Sequence, residues 1–477
     1  MSLARRLAIL LVLGLAALGP AREGRAAGTR TVDTFEDTFD GSCADADCSL
    51  RDAIADVDPG GTVRVPAGFY PLSRSGTGAV GEGDLDVARR VTLIGVGETG
   101  AFLDASGLGD RVLDVSAGVR LRHLTLLGGS SVPDGGIIRV TTGTTRMTFV
   151  TLIEGRATDG GAVAVGDGGA ARIDRSWLSA SRASERGGAL FVRGTATVVR
   201  STISGNHAGA GGGAWVGPVG DLTVDDSTVS GNVADRGGGG MRVRGHAALT
   251  STTAARNQAT VGGAVMSSAT ASVQIASSLL GRNQASTRGQ ACSRRISTVG
   301  HNVVDSGGCG LLGVSDRLVR DVRISVLRQN GGPTPSHALR SDSAAIGNGA
   351  GCDDVDQRGA PRRDCDSGAY ELVFCLGRPV TIVGTPGPDD LSGGLQPDVF
   401  LGRGGDDHFQ GSIDRDRACG GGGDDVLVGG PDPDLLAGNG GDDRLRGEGG
   451  GDLLIGGPGI DACRGGPGTD VTRGCER

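Results

Sequence analysis

The sequence predicts an all-β protein made of two stacked-coil solenoids in series, the first with a long repeat and the second with a short one. Three observations carry this. Residues 384–474 keep a nine-residue register, with Gly first in every unit from Gly384 to Gly465 and Asp sixth from Asp389 to Asp470. Between Gly160 and Gly262, Gly-Gly pairs followed by an apolar residue recur at intervals of 27, 25, 27 and 23. Gly supplies 90 of 477 residues with no collagen-like period, and aromatics are only 3%, so neither a triple helix nor a conventional core of large rings is available.

At the N-terminus, Arg5 and Arg6 precede an apolar run from Leu7 to Gly19, followed by small residues at Gly24, Ala26 and Ala27. This is the pattern of a secretory signal, and the run is too short to span a bilayer. Residues 1–27 are therefore expected to be removed on export by the general secretory route, leaving a soluble, extracellular chain. Ten Cys agree with an oxidising compartment. Neighbours in sequence are Cys43 and Cys48, Cys292 and Cys309, Cys352 and Cys365, and Cys463 and Cys475, with Cys375 and Cys419 left over. Local bridges are the simplest connectivity, and the others stay open. No C-x-x-C pair points to zinc or thiol redox chemistry.

The segment 28–60 reads as an N-terminal cap. Leu50, Ile54 and Val57 have helical spacing, which predicts a short helix over the open end of the first solenoid. Cys48-Ser49-Leu50-Arg51-Asp52-Ala53 resembles the CSLREA motif found at the start of many bacterial secreted β-helix proteins, with Asp52 in place of Glu. Val63, Val65 and Phe69 then read as the apolar row of the first strands. The β-helix is expected from residue 61, and the long repeat runs from Val91 to about Asn283; each Gly-Gly pair from Gly160 to Gly262 is followed by a short strand, as at 189–192. A second strand follows at 196–200, then a polar turn at 201–206. Asn206, Asn232, Asn257 and Asn283 recur at spacings of 26, 25 and 26. One coil per repeat resembles the right-handed parallel β-helix of the pectate-lyase-like superfamily, and the resemblance implies that these asparagines stack as a hydrogen-bonding ladder. Asp356, Arg358, Gly359, Arg362, Gly368, Ala369, Tyr370 and Glu371 resemble the DxRGxxR…GAYE ending of choice-of-anchor Q domains. The β-helix is thus expected to close by residue 372, with a linker at 373–383.

Residues 384–475 form the second solenoid. A six-residue Gly-rich turn and a three-residue strand make one unit, and two units make one 18-residue turn of a parallel β-roll. Gly provides positive φ and close backbone approach. Position 8 is mostly large and apolar (Leu391, Phe400, Phe409, Leu427, Leu436, Leu445, Leu454) and should face inward. The pattern resembles the RTX, hemolysin-type calcium-binding repeat. The resemblance implies Ca2+ held by Asp389, Asp398, Asp407, Asp416, Asp425, Asp434, Asp443, Asp452, Asp461 and Asp470, in shells shared between residues i and i+18. Four gaps per side allow at most about eight ions. Unit 411–419 departs from the pattern, with Ser412 and Asp414 where Gly is expected, so its site should be empty or distorted. The segment carries 16 Asp and one Glu against seven Arg, a net charge of −10, whereas the whole chain is −8. It should therefore repel itself without calcium. On the even-numbered units, Val399, Leu401, Leu435, Ala437, Leu453 and Ile455 make an outward apolar face expected to dock on a partner, another copy or the β-helix.

No catalytic constellation stands out. Arg172, Asp174 and Arg175 on one coil and Asp225 with Asp226 two coils on are the best acid–base candidates, but their spacing matches no lyase pattern and a solvated surface explains them better. The six His form no H-x-x-x-H pair, and no G-x-S-x-G elbow is present. Trp177 and Trp215 are the only indoles, and Trp215 reads as core. No basic run interleaved with aromatics suggests nucleic acid. Calcium binding with adhesion to surface or matrix polysaccharide, or other glycan binding, is the leading expectation. A polysaccharide lyase or glycoside hydrolase on the same fold is the alternative.

Overall fold

The computed structural model describes residues 28–476 apart from 45–46, 77–80, 131, 308 and 312; the expected signal at 1–27 lies outside the described residues. From Thr29–Thr31 to Arg317–Leu318 the chain winds about nine turns of a parallel β-helix. One coil shows the plan. Leu190–Val192, Thr195–Val199 and Thr202–Ser204 pair in parallel with Ala214–Val216, Asp221–Asp225 and Thr228–Ser230 of the next coil. His207–Ala210 pairs with Val233–Gly237 in a separate sheet. Alternation sends Leu190, Val192, Ala196, Val198 and Ile203 into a core running the length of the coils.

Three left-handed corners turn each coil. Gly187, Gly211, Gly238 and Gly262 make one, at φ 65–72°. A side chain on Gly187 would run into the Leu190 carbonyl oxygen, and one on Gly211 into that of Ala214, so these two must be Gly. Arg200, Asp226, Ser251 and Ser277 make the second, at φ 40–46°. The third is turned by Gly205, Gly231, Arg256 and Arg282. The Gly-Gly landmarks therefore mark one corner in three. The second corner, and the third at Arg256 and Arg282, carry residues that tolerate positive φ only at a cost, which the stacked neighbours offset.

The stretch read as a polar turn, 201–206, is instead a third strand, Thr202–Ser204, between two corners. Its polar character has another cause. Ser176, Ser201 and Ser227 stack: Ser176 Oγ accepts from the Val150 backbone N–H, Ser201 Oγ from that of Ser176, and Ser227 Oγ from that of Ser201. At the far corner the asparagine ladder forms as expected: the amide of Asn206 donates to Asn232 Oδ1 at 2.9 Å, Asn232 to Asn257 and Asn257 to Asn283 at 3.0 Å. All four are buried. Asn232→Ala should cost about 1–3 kcal/mol, because the Asn206 backbone and side-chain N–H groups lose their acceptor without gaining water. A urea melt of the variant checks this.

At the N-terminal end, Leu50–Asp56 is the predicted helix. Ser49 Oγ accepts from the Asp52 backbone N–H, and Asp52 Oδ1 accepts from Asp40 and Gly41. Buried Arg51 donates to Asp37 and to the carbonyls of Gly83 and Asp84, tying the helix to the first coils. Phe69 departs from the expected apolar row. A register shift between Pro66 and Gly68 flips the alternation, so Tyr70 is buried and Phe69 is exposed.

After Arg317–Leu318 the chain does not simply end the solenoid. Residues 330–371 run back as a strap over the third strands. Gln357 bonds Thr202 and Thr228, His337 bonds Ser230, and the Ala369 N–H donates to Thr253. These contacts explain why the outward hydroxyls of Thr202, Thr228 and Ser230 are buried. Asp356 accepts from the backbone of Arg358, Ala360 and Glu371, and the Arg358 guanidinium sits 3.7 Å from the Tyr370 ring centroid. Arg362 pairs with Asp226 at 2.6 Å and Glu371 at 3.3 Å. The motif at 356–371 is therefore a buried clamp. Burial pushes the His337 imidazole down to about 4, with Arg256 and Arg282 adding to the effect. A histidine depressed in the folded state contributes fully above its unfolded value near 6.5, and that contribution is lost as pH falls toward 4. Between pH 7 and pH 5 the chain should lose about 2 kcal/mol at this residue. His337→Gln should flatten that part of the pH–stability profile.

Residues 382–473 form the second solenoid, with a six-stranded sheet and a five-stranded sheet back to back. Its first strand, Ile382–Val383, pairs with Val399–Leu401. Phe400, Phe409, Ala418, Leu427, Leu436, Leu445 and Leu454 fill the interior, and the Phe400 and Phe409 rings stack at 4.8 Å. The N-terminal part of the outward apolar face is covered: Val399 packs with Val373, Cys375 and Val380 of the connecting segment and with Ala360 of the strap. The five disulfides join Cys43–Cys48, Cys292–Cys309, Cys352–Cys365, Cys375–Cys419 and Cys463–Cys475. The local pairing is thus the observed one, and Cys375–Cys419 staples the connecting segment to the roll.

Candidate metal centre

The sixth-position aspartates line both edges of the roll. From Asp407 onward, Oδ1 accepts from the backbone N–H of the aspartate 18 residues before it: Asp425 from Asp407, Asp434 from Asp416 and Asp443 from Asp425, all at 2.8 Å. The i, i+18 relation thus exists as a hydrogen-bonded column. The other oxygen is left over. In Asp407, Asp416, Asp425, Asp434, Asp443, Asp452 and Asp461, Oδ2 is buried without a hydrogen-bond partner. The remaining three, Asp389, Asp398 and Asp470, lie at the ends and are half-buried. Of these, Asp389 and Asp398 turn Oδ2 onto the N–H groups of Thr385 and Gly394.

Glycine has two separable jobs here. At positions 2 and 4 it takes positive φ, as Gly421 (φ 124°) and Gly423 (φ 121°) do. At position 1 the issue is room: a side chain on Gly420, Gly429 or Gly438 would collide with Oδ2 of the aspartate in the same unit. In the irregular unit, Ser412 (φ 87°) and Asp414 (φ 78°) adopt the same left-handed backbone without being Gly. Asp416 keeps its buried, unpartnered oxygen. The unit is therefore strained rather than collapsed. A second acidic column on the turn was not anticipated. Asp406 Oδ1 accepts from Asp424, and Asp424 Oδ1 from Asp442, at 3.0 and 2.8 Å. The G-D-D triplets carried that signal.

An unpaired carboxylate oxygen in a buried site is costly. Burial, reinforced by neighbouring aspartates, pushes Asp416, Asp425 and Asp434 up to about 7 and Asp407 and Asp443 up to about 6. Acceptor-only oxygens, closely repeated and lacking any donor, fit a hard divalent cation that takes an all-oxygen shell.

The other candidates resolve differently. Asp174 is held by Arg175 and Arg200 at 3.7 and 3.6 Å, while Arg172 stays exposed. Asp226 is buried and paired with Arg362 of the strap. It approaches Asp225 and Asp353 closely enough that all three carboxylates lie within 4.8 Å of one another. Asp353 was not anticipated, because the strap brings it from far along the chain. Trp215 is buried but not in the main core. It stacks on Phe191 at 4.9 Å beneath the Arg186 guanidinium, on the outer face of its strand.

An all-β solenoid with metal-binding glycine-aspartate turns is the class this geometry defines. Residues 383–418, 420–454 and 437–472 match the model of the RTX calcium-binding nonapeptide repeat. The chain therefore carries RTX repeats, and these bind calcium. No curated protein matches the chain. Among solved structures, pectate lyase Pel9A is similar at 14% identity and a TM-score of 0.34, covering 73% of this chain and 97% of that one. The PL6 family alginate lyase AlyGC is similar at 9% identity and a TM-score of 0.29, covering 89% and 79%. Among the described residues no helix is long and apolar enough to cross a membrane.

Proposed function

We propose that this chain is a secreted adhesion or glycan-binding protein whose C-terminal roll folds on calcium outside the cell. The observation that carries this is the run of seven buried aspartate oxygens without a partner. Asp389, Asp398, Asp407, Asp416, Asp425, Asp434, Asp443, Asp452, Asp461 and Asp470 are the proposed ligands, with each ion shared between aspartates 18 residues apart. Calcium supplies the positive charge that the roll's own net of −10 lacks. Residues 1–27 are the proposed signal, 28–60 the cap, 61–372 the β-helix with its strap, 373–383 the linker and 384–475 the roll. Five disulfides fit an extracellular site of action. The rigid β-helix offers a long, regular surface, and glycan binding is assigned to it.

The test is retention of the calcium-loaded mature chain on immobilised charged and neutral polysaccharides, with and without chelator, while assaying the eluate for chain cleavage. Retention without cleavage is expected. Steady release of shortened products would transfer the assignment to a lyase or glycoside hydrolase.

A further inference from the structure

Coil stacking gathers arginines that the sequence keeps far apart. Strands Thr62–Pro71, Val91–Asp104, Val119–Leu127, Ile138–Ile153 and Val163–Asp174 lie side by side in parallel. Val63, Leu93, Leu121, Met147 and Ile173 are buried in the core, so the residues flanking them point outward. The register puts Thr92, Arg120, Arg146 and Arg172 in one column and Arg64, Ile94, Arg122, Thr148 and Asp174 in the next. With Arg90, this face carries six exposed arginines: Arg64, Arg90, Arg120, Arg122, Arg146 and Arg172. None of the six is in an ion pair among the described residues. The one carboxylate on these columns, Asp174, is already held by Arg175 and Arg200.

Adjacent strands lie about 4.8 Å apart, and like charges placed directly opposite one another are destabilising. The chain keeps that arrangement for three successive coils and then drops it. The Arg172 column continues as Thr197, Thr223, Ala248 and Gln274. Arg90, Arg120 and Arg146 also line a surface cavity of about 330 Å³ with Thr92, Thr144 and Gly118. Gly118 has no side chain to fill it. Beside the columns, the His123 and Phe149 rings stack at 5.0 Å and the Arg175 guanidinium lies 5.4 Å from the Phe149 centroid. Phe149 is exposed, a flat apolar surface next to the cations.

We propose that this face binds an acidic polysaccharide, a chain of pyranose units bearing carboxylate or sulfate groups, laid along the solenoid axis over the N-terminal coils. It rests on the glycan-binding reading above and gives it a site and a ligand class. Arginine forks match carboxylate and sulfate oxygens in pairs. The coil-to-coil step is close to the advance of one pyranose unit in an extended glycan, so successive arginines meet successive anionic groups. The ring stack suits the apolar face of a sugar.

The test measures binding of the calcium-saturated mature chain to dextran sulfate, unmodified dextran and a single-stranded oligonucleotide. Dextran sulfate should bind in a salt-sensitive way, and the other two weakly. Arg120→Ser with Arg146→Ser and Arg172→Ser should weaken dextran sulfate binding about tenfold or more. Arg288→Ser with Arg294→Ser and Arg295→Ser, an equal charge change at exposed residues near the other end of the β-helix, should change it less than about twofold. Equal loss in both triple variants, no loss in the first, or unmodified dextran bound as tightly as the sulfated form would overturn the proposal. So would an oligonucleotide bound as tightly as dextran sulfate through the same arginines. If the first triple variant still binds either dextran as wild type does, the glycan-binding reading survives and only this site falls. If neither dextran binds, both fall.

Discussion

Arg362→Ala is expected to destabilise the protein by about 3–5 kcal/mol and to free the strap from the β-helix. The Arg362 side chain is buried and bridges Asp226 of the coil corner to Glu371 of the strap. Its removal leaves Asp226, already pushed up to about 7 by burial, without its partner, while Glu371 keeps the backbone N–H groups of Arg363, Asp364 and Asp366. Arg362 also donates to the carbonyls of Asp366 and Gly368, which would lose their partner. Thermal unfolding should show the loss, and limited proteolysis should cut first within 330–371. Adding Asp226→Asn to Arg362→Ala should recover part of the loss, because a neutral amide replaces the stranded charge. A variant as stable as wild type would mean that the clamp contributes little.

Asp425→Asn with Asp443→Asn should have opposite effects with and without calcium. Asn keeps the Oδ1 acceptor that holds the N–H groups of Asp407 and Asp425. What it loses is the negative charge and one strong ligand oxygen per site. The calcium midpoint for folding the roll should rise about tenfold or more. Without calcium the sign reverses. Both carboxyls titrate above their ordinary value in the fold, so their folded form is favoured when protonated. That contribution is complete below about pH 4 and disappears as pH rises through about 6–7. At neutral pH the calcium-free roll is therefore penalised by these two groups, and Asn removes the penalty. Circular dichroism of both proteins in chelator and in calcium, at pH 5 and pH 7.5, checks both signs.

Much of this architecture was legible because repeats print physical constraints at fixed spacing. The Asn206 to Asn283 ladder appears as read, since it arises from one residue type recurring at one corner. The i, i+18 spacing of the aspartates brings them together too, as a column of backbone N–H to Oδ1 hydrogen bonds that the sequence does not spell out. The corners at Arg200, Asp226 and Ser251 were not legible. Any residue can be forced into a left-handed bend when neighbouring coils over-determine it, and nothing in its identity records that. The strand Thr202–Ser204 reads as a turn in the sequence because its outward hydroxyls look solvated, whereas a strap reaching Pro335, 133 residues on, covers them. The acidic group of Asp225, Asp226 and Asp353 and the arginine columns were hidden for the same reason. Their members meet only after the chain has folded back or stacked. Phe69 reads as inward by simple alternation, which carries no trace of the bulge that turns it outward.

The central claim is that calcium, through the buried aspartates, folds residues 382–473. Hydrogen exchange of the full mature chain across a calcium titration tests it most directly, with calorimetry to count the ions. The prediction is cooperative protection of peptides from 382–473 as several ions bind, with peptides from the β-helix protected throughout. Equal protection of 382–473 in chelator and in calcium, with no heat of binding, would contradict it.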